Sequence, residues 1–512
     1  MVTNVLTYLE ETAAKYPDKA AFVDSKKELS FGEMLHKAQA IGSYISMNKR
    51  THMPVVVFME KSADNIAAFM GVVYSGNFYC PIDTEMPLSR IQVIFNTLNP
   101  LAILADKESV RRLEGLEYTG KIVIYEEAVC QKVDDDRLES IRKQMTDTDP
   151  VYVLFTSGST GVPKGVIINH RAVIDFTDWM SDKFHITSRD NFGNQSPFFF
   201  DLSIGDVYCT LKMGCTNYII PKSLFVFPVK LIEYLNEKKI NIIFWVPSAL
   251  CVVANLRALN KIKPVYLDRI LFCGEVMPNK QLNVWREALP DAMFVNLYGP
   301  CEATDACTYY VVNREFADDA SLPIGFPCEN TDILVLNEHN VLVEGNEIGE
   351  LCIRGSGLAM GYYNNPEKTK EAFVQNPLNK AYPEIIYRTG DLVRYNEYGE
   401  LMYVSRKDFQ IKHMGHRIEL GEIETAASNI KGIETCACIY DDEKGRIILF
   451  YVGKKMEDKE VKAALKAKVP EYMIPNLVVN LGKLPYNANG KIGRKKLKEV
   501  YLSGKIEEYR GI

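Results

Sequence analysis

Short apolar runs alternate with helical stretches through the first part of the chain. Residues 55–59 and 102–105 form runs typical of buried strands, and residues 63–73 between them favour a helix. Ser30, followed three residues later by Glu33, is a capping-box signature for the start of another helix. This alternation predicts a mostly parallel α/β sheet with helices packed against it.

A strand followed by a small polar run forms the most distinctive stretch. Residues 151–155 are apolar or β-branched and predict a buried strand, and the Ser, Thr and Gly residues after them predict a loop. The glycines let backbone N–H groups face an anion, and Lys164 adds a positive charge. The pattern is not a Walker motif because Pro163 precedes the Lys. It predicts a polyphosphate-binding loop, with a flexible surface loop as the alternative.

The last hundred or so residues have a different pattern. Alternating apolar residues at 435–440 and an apolar run at 447–452 flank a polar turn, which predicts a β-hairpin in a small α+β unit. The spacing of Cys436 and Cys438 places both thiols on one strand face, where packing is more common than metal binding.

Composition narrows the class of protein. The 512 residues carry a net charge of −6, which argues against a nucleic-acid-binding protein. The apolar region 240–256 is interrupted by polar residues and predicts a strand followed by a helix rather than a membrane span. The N-terminus lacks the basic and apolar regions of a secretory signal, so a soluble cytoplasmic protein is expected, without nucleic-acid partners or membrane insertion.

Several polar residues stand where a ligand could meet them. Asp201 follows three consecutive Phe residues, and a carboxylate in so apolar a place suits a ligand's ammonium group, with helix capping as the alternative. Tyr298 offers a flat face for a purine, and Glu302 offers an oxygen for Mg²⁺. Asp391, after a Gly, suits the two ribose hydroxyls, with a simple turn residue as the alternative.

These motifs, taken in order, resemble those of one superfamily. The run from Thr156 to Gly165, the Asp201–Ser203 segment, and the segments 298–302, 387–391, 405–408 and 489–494 resemble the motifs of adenylate-forming (AMP-binding) enzymes. Within that superfamily they look most like amino-acid adenylation enzymes, which include D-alanine:carrier-protein ligases and the adenylation domains of non-ribosomal peptide synthesis. The matching order extends from about residue 20 to about residue 494.

The resemblance implies an α/β fold with two domains. A large N-terminal core, residues 1–407, would contain parallel-sheet layers with helices plus a small barrel-like part. Residues 408–512 would form a small mobile α+β domain, with Asp408 as the hinge.

The resemblance also implies a two-step reaction. A freestanding, monomeric enzyme would use ATP and Mg²⁺ to activate an amino acid as its adenylate, and would then transfer it to the phosphopantetheine thiol of a separate carrier protein. An acyl- or aryl-CoA synthetase is the nearest enzymatic alternative, but an apolar acid would leave Asp201 unpaired. A nucleotide-binding pseudoenzyme is the other alternative, because Cys301, Ser405 and Gly493 replace the usual Thr, Gly and Asp.

The site residues are carried over on the matching motifs. The catalytic residues would be Lys491, Glu302 and Lys164, with Glu302 also holding Mg²⁺. The ATP site would comprise Thr156, Ser157, Gly158, Asn296, Leu297, Tyr298, Gly299, Pro300, Cys301, Asp391, Tyr403, Arg406 and Lys491. The amino-acid pocket would be lined by Asp201, Leu202, Gly205, Phe244, Leu271, Cys273, Leu297, Asp305, Ala306 and Lys491.

Asp305 does not match a D-alanine pocket. The D-alanine enzymes carry an aliphatic residue at this place, and a carboxylate there would be desolvated without benefit if the substrate were alanine. Gly205 would remove bulk from one wall of the pocket. Together they predict a substrate with a hydroxyl group or a second amine.

Overall fold

The structure is a computed structural model, and it describes residues 2–158, 162–485 and 492–506. The α-helices in these ranges are α1 Leu6–Lys15, α2 Phe31–Ile45, α3 Ala63–Tyr74, α4 Leu88–Leu98, α5 Tyr125–Ala128, α6 Asp135–Arg142, α7 His170–Lys183, α8 Ser203–Met213, α9 Pro228–Glu237, α10 Pro247–Asn255, α11 Asn279–Ala288, α12 Pro366–Ala372, α13 Leu420–Ser428, α14 Asp458–Lys466 and α15 Arg494–Leu502.

The strands are likewise numbered in chain order. They are β1 Ala20–Val23, β2 Glu28–Ser30, β3 Pro54–Phe58, β4 Phe78–Pro81, β5 Ala102–Ala105, β6 Lys121–Ile124, β7 Pro150–Thr156, β8 Lys164–Asn169, β9 Asn191–Asn194, β10 Thr216–Ile219, β11 Ile242–Trp245, β12 Arg269–Phe272, β13 Met293–Tyr298, β14 Thr308–Val311, β15 Phe326–Pro327, β16 Thr331–Leu336, β17 Gly349–Gly355, β18 Gly361–Tyr362, β19 Phe373–Gln375, β20 Ile385–Tyr395, β21 Leu401–Arg406, β22 Gln410–His413, β23 His416–Glu419, β24 Ile433–Asp441, β25 Arg446–Gly453 and β26 Leu477–Asn480.

Two large sheets share one apolar core. One has the order β18-β8-β7-β4-β3-β5-β6, and the other has the order β15-β14-β13-β12-β11-β9-β10-β1-β2. Tyr79 and Tyr152 of the first sheet and Phe192 and Phe244 of the second belong to the same buried cluster. Helix α3 is buried at every position, as expected for a helix that lies between layers.

The apolar runs form the strands and helices that the pattern predicts. Strand β3 pairs in parallel with both β4 and β5 and is buried at all five positions, which explains its uninterrupted apolar run. Ser30 Oγ accepts a hydrogen bond from Glu33 N at 3.2 Å, and Ser30 N donates to Glu33 Oε2 at 2.9 Å. The predicted capping box is therefore confirmed.

Antiparallel sheets dominate the remainder of the chain. Strands β16, β17, β20, β19 and β21 form a five-stranded sheet, and β24, β25 and β26 form a smaller one. Helices α13 and α14 contribute Ile423 and Leu465 to the core on one face of the smaller sheet, and α15 contributes Leu497 to the core on the other face. The predicted fold class is confirmed, while the boundary between residues 407 and 408 stays a prediction.

Cys436 and Cys438 pack in the core, as their spacing predicts. Cys436 and Cys438 both belong to the apolar cluster that contains helix α13. In the part of the chain that the structure describes, no helix is long and apolar enough to cross a bilayer.

Candidate functional site

A cavity opens where parallel strands of both large sheets end. Polar segments follow β7, β9, β12 and β13 at their carboxyl ends, which is where α/β sheets usually bind ligands. The hairpin β22–β23, which lies further along the chain, also lines the cavity. Predicted site residues that line it are Thr156, Ser157, Asp201, Leu202, Cys273, Gly299, Pro300, Cys301, Asp305, Asp391 and Arg406.

The other described residues of the predicted site do not line the cavity. They are Gly158, Lys164, Gly205, Phe244, Leu271, Asn296, Leu297, Tyr298, Glu302, Ala306, Tyr403 and the predicted hinge Asp408. Tyr298 and Glu302 nevertheless bond to groups that line the cavity, as described below. Lys491, and the loop residues Ser159 and Thr160, lie outside the described residues.

The predicted phosphate loop is shorter than expected. Strand β8 begins at Lys164 and pairs antiparallel with β7, so Lys164 and Gly165 belong to a strand rather than to the loop. Gly158 has no room for a side chain, because a Cβ there would lie 1.9 Å from the carbonyl oxygen of Val162. The Ser157 hydroxyl donates to the carbonyl oxygen of Arg417 at 2.5 Å, so the hairpin β22–β23 reaches the loop.

Glu302 lies at the centre of a buried charge network. It is 0% exposed, within the short 3-10 helix Cys301–Ala303 that follows β13. Its Oε2 accepts a hydrogen bond from Arg417 Nη1 at 2.6 Å, and its Oε1 accepts one from the Tyr362 hydroxyl at 2.6 Å. Burial alone would raise the pKa of Glu302, but Arg417 and Lys164 outweigh it and lower the pKa to about 2. Glu302 is therefore ionised at neutral pH.

This arrangement does not fit a metal ion at Glu302. Both carboxylate oxygens already accept hydrogen bonds, one of them from a cation. Within residues 2–158, 162–485 and 492–506 no group of three His, Cys, Asp or Glu residues is placed to hold a metal. Mg²⁺ at Glu302 stays a prediction that requires Arg417 to move.

The predicted ribose site is also internally paired. Asp391 Oδ1 accepts a hydrogen bond from Arg406 Nη1 at 2.8 Å, and the Tyr298 hydroxyl donates to Asp391 Oδ2. Arg406 also bonds to Asp408 at 2.6 Å, directly after β21. Lys412 Nζ lies 5.2 Å from the centre of the Tyr298 ring, against the ring predicted to face a purine.

Asn296, a predicted ATP-site residue, bonds to the protein instead. Its amide donates to the carbonyl oxygen of Pro323 at 2.8 Å, and its side chain does not line the cavity. Contact with ATP through this side chain would therefore require it to change its hydrogen bonding.

Asp201 also lines the cavity. Its Oδ1 accepts from Leu202 N at 3.0 Å, while Leu202 itself is the N-cap residue of α8, so Asp201 does not cap that helix. Burial raises the pKa of Asp201, the neighbouring Cys301 thiol and Lys412 act in the opposite direction, and Glu302 raises it further. The structure thus directs Cys301, which replaces the usual Thr, towards the Asp201 carboxylate.

Asp305 is a buried carboxylate with no ion-pair partner among the described residues. It is 2% exposed, and its Oδ2 has no hydrogen-bond partner among the described residues. Burial raises its pKa well above the ordinary value, and the carboxylates of Asp201 and Asp206 raise it further.

Gly205 does not enlarge the pocket as expected. A Cβ at this position would lie 2.9 Å from both Met180 Sδ and Phe244 Cε1, so neighbouring side chains already fill the space. The expectation of a wider pocket is wrong, because Phe244 occupies the volume that the missing side chain leaves.

The hairpin β22–β23 supplies residues that the sequence interpretation missed. Arg417, Lys412 and His416 line the cavity, and His416 stacks on Tyr472 with ring centres 3.7 Å apart. Gly415 N donates to Glu275 Oε1 at 2.8 Å. The dense basic run after Asp408 was the available signal, but its partners lie far away in the sequence.

A second contact ties the C-terminal elements to the large sheets. Arg90 of α4 forms a buried ion pair with Glu422 of α13, and their side chains are 6% and 3% exposed. The Ser89 hydroxyl donates to the carbonyl oxygen of Ala467 at 3.0 Å.

Comparisons with known proteins agree with this geometry. Residues 9–363 match the family described as AMP-binding enzyme, and residues 422–491 match the AMP-binding enzyme C-terminal domain.

Curated relatives of two lengths are similar to the chain. A D-alanine--D-alanyl carrier protein ligase of Bacillus licheniformis is 32% identical, over 96% of this chain and 99% of its own length. Zwittermicin A synthase ZmaJ of Bacillus cereus is 32% identical, over 97% of this chain and 95% of its own length. Tyrocidine synthase 1 of Brevibacillus parabrevis is 32% identical over 96% of this chain, which spans only 45% of that protein.

Solved structures share the fold. IdnL1 has a TM-score of 0.80 at 25% identity, covering 94% of this chain and 99% of its own. The Vibrio cholerae adenylation domain AlmE, solved in complex with glycyl-adenosine-5'-phosphate, has a TM-score of 0.82 at 21% identity, covering 98% of each chain, and shows the fold alone.

Proposed function

Because the chain belongs to the family of AMP-binding enzymes, we propose that it activates an amino acid with ATP and then transfers it to the phosphopantetheine thiol of a separate carrier protein. Asp201 carries this proposal. Its carboxylate lines the cavity, does not cap a helix and forms no ion pair among the described residues. A substrate's α-ammonium group would supply the missing positive charge.

The first step would join the amino acid to AMP. An oxygen of the substrate carboxylate attacks the α-phosphorus of ATP, a new P–O bond forms, and the bond to pyrophosphate breaks. Asp391 and Arg406 would hold the ribose end, and Lys491 would offset the charge that develops during the attack. Mg²⁺, if bound with the phosphates, would supply further charge neutralisation.

The second step would use the arrangement seen here. The Ser157 hydroxyl and Glu302 are both bonded to Arg417 of the hairpin β22–β23, so triphosphate and hairpin would compete for the same groups. We therefore assign this arrangement to the stage after pyrophosphate has left. The carrier thiol then attacks the acyl carbon, and AMP leaves as the thioester forms. Rotation about Asp408 would exchange Arg417 for Lys491.

The two alternatives lack this support. An acyl- or aryl-CoA synthetase would place an uncharged group beside Asp201 and leave a desolvated carboxylate. A nucleotide-binding pseudoenzyme would have no use for a buried carboxylate at the substrate end. The D-alanine ligase relatives, which match over nearly their whole length, add support for carrier-protein transfer.

Pyrophosphate exchange tests the proposal. The wild-type protein, incubated with ATP, labelled pyrophosphate and a panel of amino acids, should exchange label with at least one of them. Exchange with none would contradict amino-acid activation and favour the pseudoenzyme. Thioester formation on coenzyme A with aryl or fatty acids, without amino-acid exchange, would favour the synthetase.

Lys491→Ala separates the two steps. It should abolish exchange, because Lys491 would act in adenylation, but should leave thioester formation from pre-made adenylate nearly intact. Lys495→Ala, an exposed Lys on α15, is the control and should change neither step. Equal loss of both steps in Lys491→Ala would contradict the exchange of Lys491 for Arg417.

A further inference from the structure

Asp305 is a carboxylate without a counter-ion. Its side chain lines the cavity, it is 2% exposed, and its Oδ2 has no partner among the described residues. Its backbone has φ of +72°, a left-handed conformation that few residue types adopt easily. Keeping an unpaired carboxylate buried is unfavourable unless a ligand supplies a partner.

The surrounding charges make the position more unfavourable. Asp201 and Asp206 lie near enough to repel the charged form of Asp305. The nearby cations interact with the other two carboxylates: Lys61 with Asp206, and Lys412 with Asp201. Within the three described ranges no cation forms an ion pair with Asp305. Around Asp305 the carboxyl groups therefore outnumber the cations that could pair with them.

The shape of the pocket limits the substrate. Phe244 and Met180 fill the space beside Gly205, and Leu202 and Cys273 supply apolar lining. A long side chain would have to displace Phe244, which belongs to the main core. The filled wall therefore favours a substrate with a short side chain.

We propose that Asp305 binds a cationic nitrogen on the side chain of the substrate, so that the enzyme activates a short diamino acid such as 2,3-diaminopropionate or 2,4-diaminobutyrate. This inference rests on the proposed function. Asp201 takes the α-ammonium group and Asp305 takes the side-chain ammonium group. Each cation then meets one carboxylate, and the shortage of cations around Asp305 is removed.

Pyrophosphate exchange with wild type and Asp305→Asn tests the assignment. Asn keeps the size of Asp and tolerates positive φ, whereas a β-branched residue would be strained there. Wild type should favour one of the two diamino acids over alanine and serine by at least about tenfold in kcat/KM. Asp305→Asn should lower kcat/KM for that diamino acid by about 10²–10³, the loss typical of a buried charge without its partner. Exchange with alanine should be unchanged or faster.

A matched control isolates the role of the pocket. Asp175→Asn removes a carboxylate from α7 that bonds to Asn330 outside the cavity. It should leave kcat/KM in pyrophosphate exchange unchanged for every substrate.

Three outcomes would overturn the assignment. Alanine or serine as the best wild-type substrate would contradict a cationic side chain and leave amino-acid activation standing. An equal loss for all substrates in Asp305→Asn would assign the residue to packing. Exchange with no amino acid at all would contradict the proposed function itself, and this inference with it.

Discussion

Two groups of buried carboxylates, in and beside the cavity, differ in whether a cation pairs with them. At the proposed nucleotide end, Glu302 is paired with Arg417 and Asp391 with Arg406. At the proposed substrate end, Asp201 and Asp305 line the cavity and Asp206 acts on Asp305 from beside it, and none of the three forms an ion pair within the described ranges. The pKa of Glu302 is accordingly lowered, while the pKa values of the three substrate-end carboxylates are raised.

This difference distinguishes carboxylates that form ion pairs within the fold from carboxylates that we propose bind a charged ligand. Removing one carboxylate of a buried ion pair destabilises the fold, because its partner is left uncompensated. An unpaired one destabilises the free protein and is retained where function requires it. The comparison therefore predicts opposite effects on stability when carboxylates at the two ends are neutralised.

The largest effect on stability is expected at the paired end. Glu302→Gln keeps a hydrogen-bonding group for Tyr362 but leaves Arg417 buried without a counter-charge. The free energy of unfolding, measured by urea denaturation, should fall by about 3–5 kcal/mol. Glu139→Gln, which breaks an exposed pair with Lys143 on helix α6, is the control and should leave stability unchanged. A wild-type unfolding free energy in Glu302→Gln would remove the distinction between the two ends.

Neutralising Asp201 should separate activity from stability. Asp201→Asn removes the proposed partner of the α-ammonium group, so kcat/KM in pyrophosphate exchange should fall by about 10²–10³ for every amino acid. The same change relieves repulsion with Asp305, so the protein should unfold at equal or higher urea, with a gain of up to about 0.5–2 kcal/mol. A variant that loses both activity and stability would place Asp201 with the structural charges.

The pH dependence of stability should also differ between the two ends. Asp305, facing Asp201 and Asp206, has a folded-state pKa raised above its ordinary 3.8. Its contribution to stability is therefore fully present below pH 3.8 and is lost as pH rises. Asp305→Asn should become more stable relative to wild type as pH rises above about 4, by at most about 1.4 kcal/mol per pH unit.

Glu302 should show the opposite sign. Its pKa is lowered from 4.5 to about 2. Its contribution is present above pH 4.5 and is lost as pH falls towards 2, so the gap between wild type and Glu302→Gln should narrow in acid. Urea denaturation of both variants between pH 3 and pH 8 checks both trends. Parallel pH profiles for wild type, Asp305→Asn and Glu302→Gln would contradict the opposite pKa shifts.

The smallest effect is expected at Cys301, which lies between the two ends. A hydroxyl is a stronger hydrogen-bond donor than a thiol, so Cys301→Thr should improve contact with both Asp201 and a phosphate group. We expect pyrophosphate exchange to rise by about threefold to tenfold, without a change in the ranking of amino acids. An unchanged or slower exchange would show that the surrounding residues have adapted to sulfur.

Local patterns predicted most of the fold. The run at β3, the capping box at Ser30 and the hairpin β24–β25 depend on residues within a few positions of one another, so propensity and periodicity are sufficient to find them. Asp201 was recognised for the same reason, because its apolar neighbours stand directly before it in the sequence. The loop boundary was wrong because the pairing of β8 with β7, which places Lys164 in a strand, is a tertiary contact.

The sequence by itself determined which residues carry charge near the cavity, and only the tertiary structure decided which of them are paired. Arg417 and Glu302 are 115 positions apart, and Ser157 and Arg417 are 260 positions apart. No local signal joins such residues, because their contact depends on how separate sheets and the hairpin β22–β23 pack together. Likewise, Asp305 was recognised as unusual from its residue type, but its lack of a counter-ion and its closeness to Asp206 follow from burial. The pKa of a carboxylate responds to desolvation and to its neighbours in space, and both are properties of the folded chain.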